Sequence, residues 1–157
     1  MAVMELSTLS WLLAGCYAAA VVSALVPWVN AELLMLAALP MAASHGTLAA
    51  LVFVFTLGQM TGKSVMFWVS RRATTAPAPR LHRVVERWRD RFERHPRSAL
   101  ACVFVSAALG FPPFYAVSIA AGTFRMSFGR FLAVGGVGRL LHFAVVALVP
   151  FIAWRHL

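Results

Sequence analysis

The chain has 157 residues, 61% of them hydrophobic and 12% charged, and a formal net charge of +9. Soluble domains are usually about 45–50% apolar and about 25% charged. These proportions exclude a disordered chain, a coiled coil and an ordinary soluble enzyme, and point to a protein dissolved in a lipid bilayer.

Charge is placed in blocks. From Leu6 to Gly62 the only charged residue is Glu32. Residues 71–97 hold nine Arg and three acids, Glu86, Asp90 and Glu93. Between Ser98 and Trp154 charge is confined to Arg125, Arg130 and Arg139. Basic residues beside apolar blocks are what the positive-inside rule produces. No nucleic-acid motif accompanies them, so no nucleic-acid partner is expected. Cys16 and Cys102 lie inside apolar runs at no metal or redox spacing and read as packing residues.

The opening Met-Ala-Val-Met-Glu lacks the basic start of a signal peptide, so the first apolar run, Leu9 to Val26, is expected to stay as a membrane helix. The block 6–62 is too short for three spans of about 20 residues with their turns. It is too long for two spans and a tight turn. The surplus is Pro27 to Ser44, which carries Asn30 and Glu32 and is broken again at Pro40. Prolines at both ends prevent one continuous helix. A re-entrant hairpin is predicted here, followed by a span over 45–70.

The connector 71–97 starts as a loop by composition, with Ala-Thr-Thr-Ala-Pro-Ala-Pro. Leu81, Val84, Val85, Trp88 and Phe92 then recur on one helical face, with Arg80, Arg83, Arg87, Arg91 and Arg94 opposite. A Trp/Phe stripe backed by Arg predicts a helix lying on an anionic leaflet. A solvated cytoplasmic loop is the plainer alternative.

The second block repeats the plan. Residues 98–123 are broken at Gly110-Phe-Pro112-Pro113, leaving halves too short to span, and a continuous apolar segment follows to residue 153. Hairpin then span thus occurs twice, in 27–70 and in 98–153, the pattern of internally repeated transporters with a site near the midplane. If 98–123 dips and returns, Arg125 and Arg130 stay on the cytoplasmic side with the connector. Counting then puts the N-terminus and the connector in the cytoplasm, in the plasma (inner) membrane if the cell is bacterial. The expected architecture is a single all-α integral membrane domain over 1–157, with about three transmembrane helices and two opposed re-entrant hairpins in an inverted-repeat-like arrangement.

Few residues carry chemistry. Glu32 stands alone in an apolar stretch beside Asn30, and an ionisable residue in a membrane defaults to a substrate or proton path; a helix cap or buried hydrogen bond is its structural alternative. Lys63 and Arg139 are its candidate partners. Lys63 lies about two turns from Arg71, within snorkelling reach of the interface. Arg139 lies about 14 Å deeper than Arg130 on a regular helix, so it is predicted to face the interior and to meet Glu32 as the polar centre of the path. His142, one turn on, reads either as a packing histidine or as a group that takes protons or a polar head. Gly58-Gln-Met-Thr-Gly62 and the cluster Gly135, Gly136, Gly138 predict close helix packing. No nucleophile–base or metal cluster is visible, so neither an enzyme nor a cofactor is expected.

Over roughly residues 20–150 the chain resembles the DedA family, also called SNARE-associated Golgi or VTT-domain proteins. The resemblance rests on Pro27-Trp-Val-Asn30-Ala31-Glu32, on Gly58, Gly62 and Lys63 followed by Phe67-Trp68 and Arg71-Arg72, and on Ala121-Gly122, Met126 and Phe128. Many members carry two arginines around a Pro-Gly in the second hairpin. At those positions this chain has Ala108 and Phe114, and Arg139 is the candidate replacement for the missing charge. The resemblance implies transport of phospholipid or polyprenyl-phosphate head groups between leaflets, with membrane lipids bearing anionic heads as partners and a second copy of the chain as a further one. A proton-coupled exporter of small cations and a non-transporting assembly protein are the rival expectations. A lipid phosphatase ranks below them, because its usual residues are absent.

Overall fold

The computed structural model describes residues 2–26, 28–42, 44–73 and 95–155. Pro27 and the connector residues Arg83, Arg87, Trp88 and Phe92, expected as a hairpin break and a membrane-surface helix, lie outside them. Among the described residues every regular element is helical, and no strand occurs. In hydrocarbon a helix satisfies its own backbone groups, and the regular elements among the described residues follow that constraint.

The elements are α1 (Ala2–Leu25), α2 (Ala31–Ala38) continued by a 3₁₀ turn (Leu39–Met41), α3 (His45–Ala73), α4 (Pro96–Leu109), α5 (Phe114–Thr123) and α6 (Phe128–Arg155). Three contain stretches long and apolar enough to cross a bilayer: Ser7–Leu25, His45–Ala73 and Phe128–Pro150. The segment 31–41 would reach only about 16 Å and α5 about 15 Å, against about 30 Å of hydrocarbon.

Local chemistry sets the boundaries. Asn30 caps α2, its side-chain oxygen accepting from the N–H of Glu32 at 2.7 Å and of Leu33 at 3.3 Å. Pro40 does not open a second hairpin arm. It sits at the start of the 3₁₀ turn, where a missing N–H costs nothing, and the turn closes through Ala42 N–H to the Leu39 carbonyl at 2.9 Å. Residues 31–41 therefore form one short helix with a tightened end. The second broken segment is two helices, α4 and α5, joined through Gly110 (φ +77°) and a cis peptide between Phe111 and Pro112. Gly110, Pro112 and Pro113 lie in the interval between these two helices.

By packing the chain divides into two compact units, residues 1–62 with 140–157, and residues 63–139. In the first, Met35, Leu51, Phe55, Phe143 and Ala147 are fully buried together with Ala20. The Phe55 and Phe143 rings meet at 5.7 Å. Gly58 and Gly62 lie against α1: a Cβ on either would overlap the Cβ of Ala20 or Ala24 and press on the Tyr17 or Val21 carbonyl oxygen. That is the close approach the Gly-x-x-x-Gly spacing permits. Polar bonds reinforce the seam: buried Gln59 donates to the Ala20 carbonyl at 3.1 Å and to Ser23 Oγ at 2.7 Å.

The second unit has an aromatic centre. Phe67 stacks on Phe131 at 5.0 Å, and Phe131 on Phe114 at 6.0 Å. Gly122 of α5 lies on the Phe67 carbonyl and Ser70 of α3, and Gly138 of α6 on Ala107 and the Phe104 carbonyl of α4. Buried Ser106 donates to the Pro112 carbonyl, tying the α4–α5 break to α4.

Candidate functional site

In the first unit the polar centre is an acid–histidine pair. The cap on Asn30 starts α2 so that Glu32 falls in its first turn, where a carboxylate is favoured by the helix dipole. Its Oε1 lies 2.9 Å from Nε2 of His142 on α6. The His142 side chain is 12% exposed and that of Glu32 44%, so the pair is covered on the histidine side and open on the carboxylate side. The imidazole also meets Phe143 edge-on at 5.6 Å, which fixes its ring against the buried core. A carboxylate held by one ring nitrogen and open on its other side can exchange a proton or meet a polar group.

In the second unit two cations are buried. Lys63 on α3 and Arg139 on α6 are only 4% and 9% exposed. The Lys63 ammonium lies 5.9 Å from the centre of the Tyr115 ring, and the Arg139 guanidinium 5.5 Å from that of Phe114. Phe114 and Tyr115 open α5, so the two cations converge on the first turn of one helix. The Lys63 side chain is therefore packed within the protein. Its stem is packed and its charge rests on a ring.

Of the residues singled out in the sequence, the structure thus brings together Asn30, Glu32 and His142, and separately Lys63 and Arg139. Glu32 takes His142 as its hydrogen-bond partner, and Arg139 lies against the ring of Phe114. Arg71 was read only as a basic helix end. It donates to the Met126 carbonyl at 3.1 Å and lies over Trp68 at 5.3 Å and Phe67 at 5.9 Å, pinning the α5–α6 turn to α3. The signal is its position three residues after Trp68, a ring it can stack on.

The family model of the VTT domain matches residues 26–150. That span holds Glu32, Lys63, Arg139 and His142 and begins just after α1. No curated protein and no solved structure matches the chain.

Proposed function

From the premise that the chain belongs to the VTT-domain (DedA) family of integral membrane proteins, we propose that it moves lipid head groups, phospholipid or polyprenyl-phosphate, between the two leaflets. The observation that carries this reading is where the charged side chains of the apolar segments gather. Glu32 stands on a helix too short to span, and Lys63 and Arg139 converge on the start of another. Polar groups at helix breaks lower the cost of carrying a charged head through hydrocarbon. The segment 98–123 dips into the bilayer and returns to the side it enters from. The N-terminus and the connector 71–97 are cytoplasmic.

The open carboxylate of Glu32 supports a second reading, a proton-coupled exporter of small cations. The two separate in proteoliposomes. Fluorescent lipids in the inner leaflet, quenched from outside, become accessible with the wild-type protein and not with heat-denatured protein if head groups are moved. Glu32→Gln slows that exchange. Exchange no faster than in empty vesicles, with cation efflux following an imposed pH gradient, replaces the first reading by the second. Topology is checked by a cysteine at Thr123. It is labelled from the cytoplasmic side alone if 98–123 returns to the side it enters from, and labelling from outside rejects the dip.

A further inference from the structure

We propose that the end of the second unit where α3 stops and α6 begins is a binding surface for anionic phospholipid head groups, carried by Arg125 and Arg130. Its frame is a set of rings. Trp68, near the end of α3, meets Phe128, the first residue of α6, at 5.4 Å, and Phe67 meets Phe128 at 5.4 Å. Arg71 lies over Trp68 and donates to the Met126 carbonyl, so the turn between α5 and α6 is fixed against this end of α3. Arg71 is thus a positioning residue. Arg125 is the chain neighbour of Met126, and Arg130 lies in the first turn of α6, so both stand at the same end of the unit. Both side chains are exposed, as is the Trp68 ring between the helices. The described residues of this unit include no Asp or Glu.

Depth and charge identify the partner. The apolar stretch His45–Ala73 ends at this place and Phe128–Pro150 starts there. A membrane that both stretches cross has its head-group layer at this level, where Trp is favoured because its ring is apolar and its N–H polar. An exposed guanidinium is always charged, and its planar fork matches two oxygens of one phosphate. A leaflet holding anionic lipid is negative, and each arginine at its surface adds about fivefold to binding. A zwitterionic head offers the same phosphate but balances it with an ammonium, so this surface selects heads of net negative charge. The positive-inside rule accounts for the side on which basic residues end. A binding surface adds that the folded protein gathers anionic lipid around them. Arg125 stands at φ +57°, which glycine fills with less strain, so its backbone gives no reason for an arginine and its charge does. The surface does not depend on the proposed translocation, because it holds lipid at the margin of the protein whether or not heads cross.

The test uses the full chain in detergent micelles doped with equal amounts of phosphatidylglycerol and phosphatidylcholine. Native mass spectrometry counts the lipids retained and gives a binding constant for each head. Wild type should prefer phosphatidylglycerol, and the preference should shrink as ammonium acetate is raised, because exposed charges are screened. Arg125→Gln and Arg130→Gln should each lower phosphatidylglycerol binding about fivefold, and the double variant more than tenfold, with phosphatidylcholine binding little changed. Arg125→Lys and Arg130→Lys keep the charge without the fork. They should fall between wild type and the Gln variants, and they decide the matter if the Gln variants do not fold. Taking two charges from the connector instead, in Arg83→Gln with Arg87→Gln, should cost less than the Arg125 and Arg130 pair. Equal binding of the two lipids by wild type overturns the surface, as does an unchanged preference in the double variant. An equal loss in the connector pair also overturns it, since net charge would then suffice. Absent lipid exchange in proteoliposomes with this preference intact removes the translocation reading alone, and exchange without the preference removes the surface alone.

Discussion

The two packing units handle charge in opposite ways. In residues 1–62 with 140–157, an acid meets a histidine at 2.9 Å, so one group compensates the other. In residues 63–139, two cations are buried on adjacent aromatic residues and at a helix N-terminus, so like charges accumulate. A balanced pair adds to the cohesion of its unit. The second unit is held by something else. In the second unit that is packing: the Phe67, Phe131 and Phe114 stack and two glycines that bring backbones together. In the first unit a polar contact thus sits within the core cluster, whereas in the second the aromatic stack carries the cohesion.

The largest expected effect tests the packing half of this contrast. A Cβ on Gly122 would run into the Phe67 carbonyl and Ser70 Oγ, and a backbone oxygen cannot step aside as the tip of a flexible side chain can. Gly122→Ala should cost about 3 kcal/mol or more by overpacking. Gly129, also in this unit, has nothing within 4 Å of its would-be Cβ. Gly129→Ala should be neutral or stabilise by up to about 1 kcal/mol, the helix propensity it gains. Thermal unfolding in detergent or nanodiscs measures both. Equal costs at the two positions would show that the glycine contact does not hold the unit.

The next effect concerns sign. Glu32→Gln and His142→Leu should each destabilise, with a coupling between them of roughly 1–2 kcal/mol, between the values for exposed and buried pairs because the carboxylate side is open. A double-mutant cycle reads the coupling directly, and a value of zero would remove the pair from the cohesion of its unit. Lys63→Met keeps the packed stem and removes the ammonium from the Tyr115 ring, so it should cost no more than about 1 kcal/mol. If Lys63→Met destabilises as Glu32→Gln does, the two units are alike and the contrast fails.

How much of this the sequence discloses depends on the range of the interaction concerned. Three spans are legible because length and apolarity are local properties, and the Gly110–Pro113 break because its residues act on their own backbone. Glu32 is legible because a lone charge in an apolar run is costly wherever it points. Its partner is not: His142 lies 110 residues away, and an imidazole on an apolar helix reads equally as packing. Lys63 is ambiguous for a related reason. Its distance from the helix end permits snorkelling, and only the ring of Tyr115, from another helix, shows where the ammonium goes. Pro40 misled because proline both breaks helices and starts tight turns, and the choice depends on the carbonyl that Ala42 finds. The contact of Gly122 with α3 is tertiary, so the Ala-Gly pair gives a motif without its physical cause.

The smallest expected effect concerns the turn that leads from α5 into α6. After Thr123 the chain closes with Met126 N–H on the Ala121 carbonyl and Arg125 N–H on the Gly122 carbonyl, both at 3.0 Å. This six-to-one and five-to-two pattern needs a left-handed residue at its fifth position, normally glycine. Here it is Arg125, at φ +57°. A side chain there places its Cβ near a carbonyl oxygen, a strain of roughly 1–2 kcal/mol that glycine avoids, although glycine gives back part of it as chain entropy in the unfolded state. Arg125→Gly should therefore stabilise by up to about 1 kcal/mol, seen as a small rise in Tm. The turn is held independently by Arg71, which donates to the Met126 carbonyl, so the turn keeps its shape and the gain reports backbone strain alone. The change also removes one of the basic residues, Arg125 and Arg130, assigned to the cytoplasmic face. If the Thr123 cysteine becomes accessible from outside in Arg125→Gly, the arginine is kept for orientation at a cost in stability. If accessibility is unchanged and Tm falls, its side chain makes a contact whose worth exceeds the strain.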